Sequence, residues 1–411
     1  MKTRIFFASF LTVLILTSGC SLFEGDDNPE IPFNEKTAQL IKAENEFGFE
    51  LFKNIYATET DYQNIMVSPL SVSLALAMTY NGAEGETKTA MEKTLKMHGL
   101  STDDINKTYR DLVSALQSID PDVLLEIANA IFYRDDFAVE NDFVSVNKNY
   151  YDAEVAPLDF GAPDAVNTIN NWVADKTHDK IEKILDQISR NHVMFLLNAI
   201  YFKGAWQTEF NPENTRESSF YLENGESVET KMMHRRDTLP YAANDLFRAI
   251  QLDYGKGNYN MYVLLPEPNI SISDIINVMD QENWETWMQT FRETESVDIK
   301  LPRFKYKYEI KLNDVLTQMG MGMAFTGAAD FSGINRNGGL RIDYVKHKTF
   351  VEVNEEGTEA AAVTIVAIER TSAGGPNIVP FHVNKPFMYV ITEKDTGAIL
   401  FMGTVKNPEL N

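Results

Sequence analysis

The stretch EEGTEAAAVTIVAIERTSAGG, residues 355–375, decides how this chain is read. It opens on two acids and a glycine, runs through alanine, valine and isoleucine, and closes on Arg-Thr-Ser-Ala-Gly-Gly. Gly357 permits a sharp change of backbone direction. In an extended chain Thr358, Ala360, Ala362 and Thr364 share one face, and all are small enough to slip between two existing strands. On the other face Ala361, Val363 and Ile365 favour strand, while Glu359 stays in water only at an outward position. No proline interrupts 358–371, so every backbone N–H there is available to a ladder. Extended at about 3.3 Å per residue, that segment spans about 46 Å, far longer than a usual strand. The competing readings are an Ala-rich helix end and an ordinary edge strand.

Working outward, KPFMYVITEKDTGAILFMGTV (385–405) holds two strand runs around Lys394-Asp395-Thr396-Gly397, a hairpin signal. VDIKLPRFKYKYEI (297–310) alternates apolar and basic residues, the pattern of a half-exposed strand. VMFLLNAIYFKGAW (193–206) and YNMYVLLPEP (259–268) are continuous apolar runs that suit strands buried on both faces. The first half reads as helical. In NIMVSPLSVSLALAMTYNGAEGET (64–87) Ser68 is placed to cap, Pro69 fits the first helical position and Asn81-Gly82 supplies a stop. Its side chains are nearly all apolar or small, which predicts a helix buried on most faces. NDFVSVNKNYYDAEV (141–155) and NTINNWVADKTHDKIEKILDQIS (167–189) also suit helices, the second amphipathic. Helices first and strands later indicate an α+β fold.

The chain has 411 residues and is 44% hydrophobic, enough for a large core and, by length alone, for two or three domains. From Thr37 onward no Ser/Gly-rich linker, low-complexity block or solenoid-period repeat marks a boundary, so 37–411 is read as one domain. Residues 1–19 have a signal-peptide layout: Lys2 and Arg4, an apolar run from Ile5 to Leu16 too short to span a bilayer, then small residues. Thr17-Ser18-Gly19-Cys20 resembles the bacterial lipobox, which implies lipidation at Cys20, the chain's single cysteine, and an exported lipoprotein at the outer membrane or cell surface. An ordinary cleaved signal with an incidental cysteine is the alternative. Residues 20–36 then form the lipidated cysteine and a flexible acidic tether. Losing Lys2 and Arg4 with the signal shifts the formal charge from −23 to −25, which makes nucleic acid and anionic headgroups poor partners.

Catalytic patterns are missing. There is no G-x-S-x-G and no cysteine in the body to serve as nucleophile. The six histidines are scattered without H-E-x-x-H or a close Cys/His set, and no phosphate-binding glycine loop occurs. No enzyme activity, metal or cofactor is expected.

Several stretches, in order, resemble the serpin family, inhibitors that trap proteases by a change of fold. They are the Ser-Pro helix at 64–87, LLNAIYFKGAW (196–206), DFSGI (330–334), VKHKTFVEVNEEGTEAAAVT (345–364), and FHVNKPFMYVI with LFMGTVKNP in the C-terminal region. The resemblance covers roughly residues 40–408. It implies helices packed around a large central mixed sheet with smaller sheets, and a metastable monomer with a reactive-centre loop at about 355–381. Glu355, Glu356, Gly357, Thr358, Glu359, Ala360, Ala361, Ala362, Val363 and Thr364 match the hinge and insertion segment. Ser68, Ser71, Asn198 and His347 match a polar cluster beneath the opening sheet, and Trp206 with Glu355 the region where the loop enters. Seventeen residues from Glu355 place the reactive bond at Thr371–Ser372; a slip of one gives Arg370–Thr371. Thr371 suits elastase-like pockets and Arg370 trypsin-like ones. The partners implied are serine proteases, with some cysteine proteases as a further class, held in a covalent complex. A serpin-fold binder or chaperone that is cut without trapping is the alternative, and a lipid-anchored glycan-handling protein is a third class without acid pairs or aromatic platforms to support it. STDDINKTYRDLVSALQSID (101–120) is acidic on balance, which argues against a heparin-type cofactor.

Overall fold

The Ser-Pro helix forms as its sequence dictates. In the computed structural model, which describes residues 31, 33–59, 64–358 and 378–410, Ser68 accepts from the Ser71 N–H at 3.3 Å, Pro69 opens the helix and Asn81 closes it. Every residue of this helix but Ala75 is buried. Around it lie α1 (Glu35–Thr58), the helix itself as α2 (Pro69–Tyr80), α3 (Gly85–Thr94), α4 (Thr102–Leu116) and α5 (Asn141–Tyr151). Further along come α6 (Ala165–Lys176), α7 (Ile272–Val278) and α8 (Gln281–Met288).

The strands sort into two sheets. A nine-stranded sheet runs β1 (Asn64–Val67), β15 (Ile399–Val405), β14 (Phe387–Glu393), β8 (Tyr259–Pro266), β7 (Phe247–Tyr254), β6 (Ser227–Ala243), β9 (Arg292–Pro302) and β13 (Val379–His382), with β5 (Arg216–Tyr221) on β6. The expected hairpin joins β14 to β15, and Gly397 takes φ +70° in its turn. A six-stranded sheet runs β10 (Phe304–Lys311), β11 (Lys346–Val353), β12 (Gly357–Thr358), β4 (Met194–Ala205), β2 (Val123–Arg134) and β3 (Glu154–Leu158). Both sheets are mixed: β2 and β3 are parallel, as are β9 and β13. Helices beside mixed sheets match the α+β expectation.

Three local expectations need correction. The helix expected over 167–189 stops at Lys176. Thr177 Oγ1 donates to the Val173 carbonyl and accepts from the Ile181 N–H, and His178 and Asp179 take positive φ. Asn170 then captures the N–H groups of Ile184 and Leu185 and the Leu185 carbonyl, so side-chain bonds replace the helical ladder. The helix expected over 141–155 ends at Tyr151, and Asp152 at φ +47° turns the chain into β3. The single strand read over 297–310 is two strands in different sheets. Val297, Ile299 and Leu301 are buried before the break, and Phe304, Tyr306, Tyr308 and Ile310 after it, so the alternation changes phase at Pro302-Arg303.

Candidate functional site: the hinge at the head of an open seam

The six-stranded sheet is divided between β11 and β4. Among the described residues no ladder pair joins these two strands directly; only β12 stands between them. Gly357 pairs with Ala205, and Thr358 pairs with Gly204 on one side and Val353 on the other. Further along the seam a cavity of about 540 Å³ is lined by Ser71, Asn198 and His347 among Phe195, Leu197 and Val345.

Gly357 is fixed by its surroundings. Its φ is +148°, and a Cβ there would lie 2.1 Å from the Gly204 carbonyl oxygen and 2.8 Å from the Ala205 Cα. Thr358 is buried, its hydroxyl 2.7 Å from the Tyr254 hydroxyl. The Tyr254 ring stacks on Trp206 at 4.4 Å and 15°. Trp206 in turn donates from its backbone N–H to the Glu356 carbonyl (2.8 Å) and from Nε1 to the Asn354 carbonyl (3.0 Å). Asn354 Oδ1 receives the N–H groups of Glu356 and Gly357 at 3.0 and 3.2 Å, which closes the turn from β11 into β12.

Glu355 anchors the turn. Its side chain is only 4% exposed, and Oε1 accepts from Arg303 Nε (2.9 Å), Arg303 Nη2 (2.7 Å) and the Thr215 hydroxyl. Burial works to raise its pKa, yet the bonds from Arg303 and Thr215 hold it below the ordinary glutamate range. The Phe210 N–H donates to the Glu355 carbonyl at 2.9 Å.

The polar residues beneath the seam are only partly joined. The Ser68 N–H donates to His347 Nε2 at 3.1 Å, which places the ring proton on Nδ1. Burial depresses the His347 pKa to about 4, consistent with a neutral ring. Asn198 looks away from this pair: its amide donates to Asn129 Oδ1 at 2.7 Å, and Asn129 donates to the Tyr151 carbonyl. Ser68, Ser71, Asn198, His347, Trp206 and residues Glu355–Thr358, expected as the hinge, thus all have a location in the fold. Glu359, Ala360, Ala361, Ala362, Val363, Thr364, Arg370, Thr371, Ser372 and Cys20 lie outside the described residues.

Sequence reasoning missed Arg303, Thr215, Asn354, Tyr254 and Gly204. The phase change at Pro302-Arg303 is a signal for the first; the others join this turn only through tertiary pairing. Among the described residues no group of three or more His, Cys, Asp or Glu is placed to hold a metal ion. No helix among them is long and apolar enough to cross a membrane.

The family model described as Serpin (serine protease inhibitor) matches residues 42–408. The chain belongs to the serpin family. A serpin-like protein of Methanosarcina acetivorans is 33% identical over 375 residues, 90% of this chain and 86% of that one. Intracellular coagulation inhibitor 2 of Tachypleus tridentatus is 32% identical, covering 89% and 90% respectively. The native-state crystal structure of the thermophilic serpin tengpin superposes with a TM-score of 0.82 at 36% identity, covering 92% of this chain and 96% of that one. Serpins are in general protease inhibitors.

Proposed function

We propose that this serpin is a suicide-substrate inhibitor of serine endopeptidases whose loop, once cut, becomes a full strand between β11 and β4. The observation that carries the reading is β12: two hinge residues already occupy the head of the seam, and below them the two bordering strands are not paired to each other. The sequence beyond Thr358 offers small residues on the inward face. In the covalent step the protease serine Oγ attacks the carbonyl of Thr371, and the 371–372 peptide bond breaks. The Ser372 amine leaves with a proton and an ester joins protease to Thr371. Insertion carries that ester away before water can release it, driven by ladder bonds and apolar burial that the uncut loop lacks. Cleavage after Arg370 gives the same outcome for a trypsin-like enzyme. We further propose that Cys20 carries the lipid anchor at the bacterial surface; the mass of the mature N-terminus tests this.

Mixing the soluble domain with trypsin-like and elastase-like proteases tests the main reading. Complexes that survive boiling in SDS are expected, with a released fragment that begins at Ser372, or at Thr371 if Arg370 is used. Clean cleavage without any complex would leave a serpin that is cut but traps nothing, the binder or chaperone reading.

A further inference from the structure

The cavity along the seam is lined from both faces of the six-stranded sheet. On β11, His347 and Thr349 point into the core, where the Ser68 N–H donates to His347 and the Thr349 hydroxyl donates to the Met66 carbonyl. Lys346 and Phe350 point the other way, toward residues 177–192, where Lys346 pairs with Asp186 and Lys180 lies over the Phe350 ring. His347 and Lys346 both line the cavity. Its core-side wall is one face of α2, Ser71, Ala75, Leu76 and Thr79, and Ala75 is the one residue of that helix that is not buried. Its outer wall is Ile181, Ile184 and Leu185 with Leu340, Ile342 and Tyr344. Protein interiors rarely hold voids much larger than a water, whereas about 540 Å³ falls within the range of pockets that enclose a small molecule, roughly 300–1,000 Å³.

The lining also carries an unpaired cation. Arg341 takes part in no ion pair or side-chain hydrogen bond among the described residues, although acids are in excess in this chain. The backbone beside it is held in place. The Ile342 N–H donates to the Ala324 carbonyl at 2.9 Å, and Asn313 donates to the Asp343 carbonyl at 2.9 Å and accepts from the Val345 N–H at 3.0 Å. The other charged side chains of the lining have partners: Lys346 has Asp186 and Glu309, Lys348 has Glu309, and Asp343 has His192 at 3.0 Å.

We propose that this cavity binds an anionic amphiphile, a single carboxylate on a medium-length hydrocarbon body, with the body between α2 and the 181–185 wall and the carboxylate on Arg341. The lining sets both halves of that chemistry. Walls of isoleucine, leucine and phenylalanine gain when hydrocarbon displaces water from them. A guanidinium presents parallel N–H donors that match the two oxygens of a carboxylate, and the resulting bonds are charge-assisted. The competing account is that the cavity is only space for a further strand and Arg341 a solvated loop charge, which predicts no ligand and no dependence on the charge at 341. The proposal is read from the uncut fold and stands apart from the inhibitory function proposed above.

The test is isothermal titration of the uncut protein with decanoate and with decyltrimethylammonium, which keeps the chain length and reverses the charge of the head, each below its micelle-forming concentration. One decanoate per chain is expected, bound at least about tenfold more tightly than the cation. Arg341→Gln, a change on an exposed loop, should weaken decanoate about tenfold without weakening decyltrimethylammonium, and Arg341→Lys should recover part of the loss. Ala75→Phe places a ring in the cavity and should weaken decanoate at least about tenfold; circular dichroism checks that this variant folds, and the Arg341 pair decides the matter if it does not. Absence of saturable binding to the wild type overturns the proposal. So does binding that Arg341→Gln leaves unchanged. No protease enters the measurement, so a protein that binds decanoate but traps nothing would uphold the ligand and remove only the inhibitory reading.

Discussion

Gly357 is the residue on which the hinge geometry closes. Any side chain there meets the backbone of β4, with the Gly204 oxygen 2.1 Å from its Cβ, and the φ of +148° is itself unfavourable for an L residue. Gly357→Ala is expected to unseat β12, expose the Trp206–Tyr254 stack and slow insertion. In a gel assay cleaved, uncomplexed product should rise at least about tenfold over wild type, the factor for roughly 1.4 kcal/mol of barrier. A second prediction concerns Glu44, which is buried with the hydroxyls of Tyr109 and Ser73 donating to it. Burial pushes its pKa up to about 7 against the lowering effect of those bonds. The raised carboxyl contributes stability in full below its ordinary 4.5 and loses it as pH rises through about 7, about 3 kcal/mol in all. His347 has the opposite sign: its depressed pKa makes its contribution present above 6.5 and lost as pH falls through about 4. Urea unfolding at pH 5 and pH 8 should therefore show Glu44→Gln losing about 3 kcal/mol less than wild type over that rise, with the His347 contribution common to both. Gly357 and Thr358 stand out in the sequence because glycine and small side chains carry their own conformational meaning, and both lie in the short strand β12. Arg303 was hidden, since its partner Glu355 lies 52 positions away and only the fold brings them together.

At the scale of elements, the segment 177–192 matters most where the sequence misled. Up to Ser189 it belongs to the helix expected over 167–189, because its apolar residues, Ile181, Ile184 and Leu185, recur at helical spacing, yet it is a strap across the sheet. His178 bonds Glu126 of β2 at 2.5 Å and its ring lies tilted at 43° against Tyr201 of β4, while Lys180 lies over the Phe350 ring of β11 at 4.9 Å. Asp186 pairs with Lys346 of β11 at 3.4 Å, and His192 with Asp343 at 3.0 Å. The strap thus ties both banks of the seam together, and spacing alone could not separate this from a helix because competition from Thr177 and Asn170 is a side-chain effect. The strands β4, β8, β14 and β15 were read correctly because continuous apolar runs of that length have few other uses. If the seam accepts the cut loop, limited proteolysis within 359–377 should raise the melting temperature by roughly 20 °C, since several net kcal/mol of ladder and burial are gained and each shifts a chain of this size by a few degrees. Differential scanning calorimetry before and after cleavage checks it; an unchanged or lowered midpoint would mean the seam stays as it is.

For the whole molecule, a net charge of −23 sets how partners approach. Association with a basic protease should be steered, and the second-order rate of complex formation should fall about tenfold or more between 50 and 500 mM salt, whereas an acidic protease should show the reverse trend. Stopped-flow inhibition kinetics at graded ionic strength distinguish the two. Composition conveyed this much without any structure, but could not convey which strands neighbour which. That arrangement has a consequence for how the protein is made. In the nine-stranded sheet β14 lies between β15 and β8, and among the described residues β1 pairs only with β15, Asn64 opposite Val405. A ribosome delivers these partners far apart in time, so β1 waits through the synthesis of every strand between them and this edge of the sheet closes only once β15 has emerged. A nascent chain stopped before β14 would present β8 with an open flank, and the emergence of β14 and β15, rather than any earlier folding step, completes the sheet.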